Sequence, residues 1–515
     1  MSHEPVNVAA SIIADVSAGI YRSPAGALKE LVSNAFDADA ESVRISTGAP
    51  TFRAFTCTDD GNGMTADDFR RVMRFIGGSI KRDEGQVSRG HSRPLVGRIG
   101  IGLLAVAQLS RRFRVVSSAK GQAKKFDAVI DLEPFLLAEA RRAKLGQTVE
   151  TTEGKIQIGT YDLQESTEDR DAHYTRIVME KIEPGFRQKL RDLPAQEGGF
   201  RVKEFKEGTI EDFLATVRRG TVAEHGAYAQ MVWELATTTP VQYLDDGPFK
   251  DNDIADALKT RLAKYRFKVF LDGVELRKPI LLPQKRIQHR LYPLDFERDL
   301  ADGRRLSATG YLYWQKGGIH PRELQGILIR VRNVAVIQYD STYLGYPHHE
   351  GWKFSQMTGE LYVDEGLDKA VNIDRSSFRE TDDAYVAIQG FLWERLKKGT
   401  DETAGIFSAI KKETSVISRR KREEKNKRWA AAVRRLTGGA VRSLDIDVAE
   451  EHQPSGISVS RGISIDRDLS ELAGRRYQSL FAAVCAILEK QLPKSFSSRA
   501  RRGLYERLAK LFGQF

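Results

Sequence analysis

The stretch from Ser23 to Thr58 constrains this chain most, because it commits the backbone to a helix laid on a sheet. Ser23-Pro24 reads as a helix N-cap followed by proline at the first helical position. The helix it opens runs to about Ala40, with a shorter one expected before it over residues 7–20. Leu28, Leu31, Val32 and Ala35 take one side of it, while Glu30, Asn34 and Asp37, spaced i, i+4 and i+7, share another. Two strand-like runs follow, Val43–Thr47 and Phe52–Thr58, joined by Gly48-Ala49-Pro50.

Further along, Thr65 and Asp68 form a capping-box pattern for a helix through Ile76. Residues 77–96 are rich in Gly, Ser, Arg and Lys without a period and read as a mobile loop. The glycine turn 97–102 then opens a helix to about Leu109. Strands are expected at Phe113–Ser117, Phe126–Leu132, Ile156–Tyr161 and Thr175–Glu180. A second α/β segment over 200–400 holds a hairpin, Phe267–Leu271 and Val274–Leu276 around Asp272-Gly273, and strands at Ala308–Trp314 and Ile327–Gln338. The tail after 400 reads as helical, with Tyr477, Leu480, Phe481, Val484 and Leu488 on one face. The expected fold class is α/β (α+β) in three parts: a sandwich over 1–195, a second α/β domain over 200–400 and a basic helical region over 401–515.

No apolar run approaches the roughly 18 residues of a membrane span. The first ten residues lack the basic-then-apolar pattern of a secretion signal. Cys57 and Cys485 are the only cysteines, too few for a disulfide framework or a zinc site, so a reducing cytoplasm is expected. The net charge of +11 is uneven: Lys411 to Arg435 holds eleven basic and three acidic residues. Such a stretch suits DNA or RNA phosphates; it equally suits a solvated helix with interspersed glutamates.

Three short constellations carry the chemistry. In KELVSNAFDADA, residues 29–40, the carboxylate of Glu30 can take a proton from water, and the amide oxygen of Asn34 can help hold a hydrated Mg2+. In DDGNGM, residues 59–64, Asp59 ends a strand and can accept from an exocyclic amine. Gly61 and Gly63 admit a flat ring, and Met64 offers it an apolar face. In GRIGIG, residues 97–102, Gly97, Gly100 and Gly102 leave room for phosphates at a helix start. Each pattern alone is common on proteins with no such task.

In this order the three motifs resemble the GHKL superfamily, which includes gyrase, heat-shock protein 90, histidine kinases and MutL. The resemblance implies a Bergerat-type ATP-binding fold, ATP and Mg2+ as ligands, and ATP hydrolysis. It makes Glu30 the general base, Asn34 the Mg2+ ligand, Asp37 a support of the nucleotide site and Asp59 the reader of the adenine amine. Residues 77–96 would be the ATP lid, with Ser79 and Lys81 its phosphate contacts. HYTRIVMEKI, residues 173–182, resembles the strand that ends the nucleotide domain of heat-shock protein 90, which brings Thr175 near the base, although Tyr174 replaces a glycine. VDEGLDKAVNIDRSSF, residues 363–378, resembles that chaperone's middle-domain loop, with Arg375 as the γ-phosphate sensor. The 25 positions between Asn34 and Asp59 are compact, as in MutL and the MORC ATPases.

Three jobs fit these features. One is an ATP-gated homodimeric switch or clamp on nucleic acid. Another is a protein-remodelling chaperone. The last is a regulatory ATPase, for instance in a defence system, whose effector lies on a partner protein.

Overall fold

The computed structural model describes residues 23–74, 87–96 without 89, 106–132 without 108, 159–191, 201–244 without 219, 253–278, 289–348, 351–372, 377–397, 405–410, and shorter stretches from 415 to 513. The expected helix over 7–20 lies outside them. The chain forms two compact units, Met1–Arg395 and Leu396–Phe515.

In the first unit, helix α1 is Pro24–Asp37, and the Ser23 hydroxyl caps it by accepting from the Gly26 N–H at 3.0 Å. The same hydroxyl donates to the Glu234 carboxylate, 2.8 and 2.9 Å from its two oxygens, which fixes the start of the helix to a half-buried neighbour. Strands β1 (Ser42–Ser46) and β2 (Ala54–Asp59) follow, then α2 (Ala66–Arg74), capped reciprocally by Thr65 and Asp68 as expected. After these come β3 (Arg112–Ser118), β4 (Lys124–Asp131), β5 (Thr160–Thr167) and β6 (Tyr174–Glu180). Helices α3 (Pro184–Arg191), α4 (Val202–Glu207), α5 (Ile210–Val217), α6 (Gly226–Thr238) and α7 (Asp253–Ala263) lead to β7 (Lys268–Leu271) and β8 (Val274–Leu276).

These eight strands form one sheet in the order β5-β4-β3-β6-β2-β1-β7-β8. Burial alternates along its strands: Val43 and Ile45 on β1 and Phe55 and Cys57 on β2 are buried, with Arg44 and Ser46 outside. The buried side meets Leu28, Leu31, Val32, Ala35 and Phe36 of α1 and Tyr228, Val232 and Leu235 of α6 in one core. The 267–276 hairpin, expected in the second segment, completes this first sheet instead: β7 pairs parallel with β1, Val43 opposite Val269. Its apolar alternation shows a strand but not which edge it joins. Of the expected strand Ile156–Tyr161, residues 156–158 lie outside the described residues, and β5 runs on from Thr160 to Thr167. β5 is a largely exposed edge strand, so its apolar signal is weak, and Gly159 marks its start, where a Cβ would fall 2.3 Å from Leu132.

A second sheet in the same unit has the order β12-β11-β13-β10-β9, built from β9 (His289–Asp299), β10 (Arg305–Gln315), β11 (Gly326–Val331), β12 (Val334–Ala335) and β13 (Met357–Glu365). Helix α8 (Asp383–Leu396) carries Phe391, whose ring lies 4.7 Å from that of Phe296 on β9. The run Ile327–Gln338, read as one strand, is broken by a turn in which Arg332 and Asn333 have φ of 52° and 74°. Between the sheets lies a fully buried polar cluster. Arg330 pairs with Glu360 at 2.5 Å and donates to the Thr237 carbonyl of α6 at 2.7 Å, while Tyr311 donates to Glu360 at 3.1 Å. Lys278 donates to the hydroxyl of Tyr362 at 3.2 Å. Burial drives the Lys278 ammonium well below the usual lysine range. Burial would raise Glu360, but the charges of Arg330 and Lys278 outweigh it and hold its carboxyl low. Removing one partner of such a pair strands the other charge in the core. Glu360→Gln is therefore expected to cost about 3–5 kcal/mol in chemical denaturation. A loss below about 1 kcal/mol would mean that Arg330 is compensated elsewhere.

In the second unit, α9 (Gln478–Gln491) and α10 (Ser498–Gly513) pack through Phe481, Cys485, Tyr505 and Ala509. Glu489 pairs with Arg501 and accepts from the Tyr505 hydroxyl. Beside the helices expected to dominate this region, β14 (Ile457–Val459) and β15 (Ile463–Ile465) form an antiparallel hairpin. These strands are only three residues long, below the span where alternation is readable. Both cysteines are buried and free.

Candidate nucleotide site

Asp59, the last residue of β2, faces Thr175 of β6 in the antiparallel register. Burial pushes its carboxyl up to about 7, partly offset by the Gly61 N–H, which donates to it at 3.0 Å. Beside it, the hydroxyls of Ser117 and Thr175 lie 3.1 Å apart, and Ser117 also accepts from the Met64 N–H at 2.9 Å. Asp59, Gly61, Met64 and Thr175 are thus gathered at one end of the sheet, with Ser117 as a member that sequence reasoning missed. A single serine at a strand end carries no pattern that would have singled it out.

The glycines are there for space. Gly63 has φ of +65°, and a Cβ on it would lie 1.9 Å from the Ser118 carbonyl oxygen. A Cβ on Gly61 would lie 2.8 Å from the Ala38 carbonyl oxygen and 2.9 Å from the Asp59 carboxylate. The turn between them is pinned to α1, because the Asn62 N–H donates to the Ala38 carbonyl at 2.8 Å. The end of α1 and the aspartate-glycine turn therefore hold each other in place.

On α1, Glu30 is 4% and Asp37 8% exposed, and Asn34 is half-buried between them. Glu30 opens onto a cavity whose far wall is the second sheet: Val331, Arg332, Val334 and Val336, with Asp368 and Asn372 beyond. Lys29 ties the two walls together, donating to the carbonyls of Ala335 and Val336 at 3.2 and 3.1 Å. Asp37 accepts from the Val96 N–H at 2.7 Å.

The loop read as mobile is anchored where it is described. The carboxylate of Asp39 accepts from the Ser88 hydroxyl, from the N–H of Gly90 at 2.7 Å and of His91 at 3.0 Å, and from Asn62 at 3.1 Å. Burial works against this charge, but those hydrogen bonds prevail and hold the carboxyl below its ordinary value. Arg93 is fully buried. It donates to the carbonyls of Phe36, Ala40 and Tyr265 at 3.2, 2.5 and 2.6 Å, with its guanidinium over the Phe36 ring at 4.8 Å. A polar, aperiodic segment looks solvated in sequence; here one arginine spends its donors on backbone carbonyls that lie 53 to 172 positions away. Ser79, Lys81, Gly97, Gly100, Gly102 and Arg375 lie outside the described residues. The segment that carries Arg375 is nevertheless bounded by described backbone, Val371 bridging Phe378, and Asn372 at its base lines the Glu30 cavity.

Residues 21–134 match the family described as histidine kinase-, DNA gyrase B- and HSP90-like ATPase. Within this chain, residues 21–134 are thus similar to the GHKL-type ATPases. Curated proteins similar to this chain include the DNA mismatch repair protein MutL of three organisms. That of Halobacterium salinarum is 43% identical over 63 residues, 12% of this chain and 10% of the relative. That of a Bradyrhizobium species is 28% identical over 184 residues, 34% of this chain and 28% of the relative. That of Rhodopseudomonas palustris is 23% identical over 278 residues, 50% of this chain and 45% of the relative. The chain thus matches less than half the length of each of these relatives. The Rhodopseudomonas palustris match is more than twice the length of the family match.

Proposed function

We propose that this chain, as a GHKL-type ATPase, binds ATP against α1 and the Asp59 turn and hydrolyses it, and that ATP closure acts on DNA as a dimeric switch or clamp. The observation that supports hydrolysis most is Glu30, a carboxylate buried on α1 that opens onto a cavity closed by the second sheet. Asp59 accepts from the adenine amine, with Gly61, Gly63, Met64 and Thr175 around the ring. Gly97, Gly100, Gly102, Ser79 and Lys81 take the phosphates, and Arg375 senses the γ-phosphate. Glu30 draws the proton from the attacking water as that water adds to the γ-phosphorus, the bond from that phosphorus to the β–γ bridging oxygen breaks with its electron pair, and ADP and phosphate are the products.

Mg2+ suits the donors present. It keeps most of its waters and takes few protein oxygens, and among the described residues no group of three or more acidic, His or Cys side chains competes for it. The half-buried amide of Asn34, one turn from Glu30, is the residue that would hold it. The bound ion supplies neutralisation of the phosphate charge.

The DNA reading draws on the relatives, which are named as DNA mismatch repair proteins, and on the basic C-terminal unit. Besides the 411–435 stretch, α10 carries five basic residues against one acidic. Arg499, Arg502, Arg507 and Lys510 are exposed there. Duplex DNA is expected to raise ATP turnover at low salt and to lose that effect as salt rises. Replacing those four residues by glutamine is expected to weaken DNA binding more than tenfold and to flatten its salt dependence by about one slope unit per lost phosphate contact. If DNA leaves turnover unchanged at low salt, the chain acts on another partner. No described helix is long and apolar enough to cross a membrane.

A further inference from the structure

The peptide unit between Leu95 and Val96 is held from both sides. Its N–H donates to Asp37 of α1 at 2.7 Å. Its C=O accepts from Arg332, in the β11–β12 turn of the second sheet, at 2.6 Å. Gly97, the first glycine of the expected phosphate turn, is the next residue along the chain. Arg332 is itself fixed by Asp368, which pairs with it at 3.0 and 3.2 Å. Two details separate this from ordinary packing. Arg332 is 5% exposed, so its charge is desolvated for these partners. It also sits at φ of 52°, a conformation that costs free energy for a side chain of this size and persists only where the surroundings over-determine it.

We propose that Arg332 is a positioning residue for ATP hydrolysis: by orienting the Leu95–Val96 peptide it sets where Val96 stands in the wall of the Glu30 cavity, and makes that placement depend on the seating of the second sheet. The mechanical logic is short. A hydrogen-bonded peptide unit has a fixed plane, and the backbone that leaves it inherits that direction. Asp37 alone holds only the N–H side and leaves the plane free to rock about that bond. Arg332 removes this freedom, and its anchor lies on a different sheet from that of Asp37. A shift of the second sheet therefore turns the Leu95–Val96 peptide in the wall of the Glu30 cavity without touching the base pocket around Asp59. Arg332 has no contact with the nucleotide in this scheme and acts through the peptide. Lys29 runs beside it, binding α1 to the Ala335 and Val336 carbonyls, so the helix that carries Glu30 and the Leu95–Val96 peptide are seated on one short hairpin.

This inference rests on the ATPase reading, and two measurements separate their fates. The first is steady-state ATP turnover of the full chain together with equilibrium binding of a non-hydrolysable ATP analogue. The second is amide hydrogen exchange without nucleotide. For Arg332→Ala we expect kcat to fall at least tenfold and analogue affinity to change less than threefold. Exchange is expected to rise over residues 90–96 and to stay unchanged in β9 and β10. Arg332→Lys has a single ammonium that serves either Leu95 or Asp368, and is expected to recover part of kcat. Asp368→Asn keeps the shape and weakens the anchor, with the same changes at smaller size; it decides the matter if Arg332→Ala unfolds. Wild-type kcat in the folded Arg332→Ala or Asp368→Asn protein, with 90–96 still protected, overturns the proposal. So does a fall in kcat accompanied by an equal loss of analogue affinity. If the wild-type chain does not hydrolyse ATP at all, the ATPase reading falls, and the exchange result alone then decides whether Arg332 holds the peptide.

Discussion

Glu30→Ala is expected to retain ATP binding within a few-fold and to lower turnover by about 10²–10⁴-fold, the span typical of a lost general base. The split follows from what Glu30 touches. It lies on the cavity side of α1, while Asp59 and the Gly61–Gly63 turn sit at the end of β2. A carboxylate that acts on water contributes in the transition state and little in the ground state, so kcat falls and affinity stays. Glu30→Gln is the sharper version, because it keeps the volume and the helix and removes only the basicity. Single-turnover hydrolysis with analogue binding measured alongside is the appropriate assay. Unchanged turnover in Glu30→Gln would remove Glu30 from the chemistry.

The second large effect is at Asp59, where function and stability are expected to move in opposite directions. Its carboxyl is pushed up to about 7 by burial, from an ordinary 3.8. Between those values the folded chain keeps a proton that the unfolded chain has released. The folded state then binds more protons, so stability falls as pH rises through this window and levels off above about 7. Asp59→Asn removes the penalty. Since Asp59 keeps part of its surface open to solvent, the gain is expected to be about 2 kcal/mol at pH 8, vanishing near pH 4. ATP needs the ionised acceptor, so wild-type affinity is expected to weaken below pH 7, and Asp59→Asn to bind ATP about 10–100-fold more weakly at pH 8. Thermal melts and analogue binding across pH 4–8 measure both. Wild-type affinity in Asp59→Asn would show that another group reads the base.

Much of the nucleotide half was legible because its signals are local. Ser23-Pro24, the Thr65–Asp68 box and the alternation in β2, β3 and β4 are each written within a few residues. Asp59, Gly61 and Gly63 could be picked out only because their turn falls between the Glu30 helix motif and the 97–102 glycine motif in the family's order. What stayed hidden depends on partners far along the chain. Arg93 looks like surface until Phe36, Ala40 and Tyr265 turn their carbonyls to it. Arg332 looks like part of a strand, because arginine is rarely found at positive φ and Asn333 is a lone turn signal inside an apolar run. β9 was missed since His289, Arg290, Glu297 and Asp299 break its apolar pattern, and β13 since it is buried on both faces and does not alternate.

The pairing of β7 with β1 has a consequence in time. Val43 waits for Val269, more than two hundred residues downstream, before the edge of its sheet is closed. Parallel pairing at that separation is slow to nucleate, because a long loop must close before any contact rewards it. On the ribosome, the helix bearing Glu30 and the turn bearing Asp59 emerge early and stay on an open-edged, incompletely covered sheet until β7, and α6 before it, have been made. During that interval the bare strand edge is exposed to neighbouring nascent chains. If ATP binds as proposed, its capture then waits for the synthesis of β7, well past Thr175, the last residue of the first sheet placed beside the base.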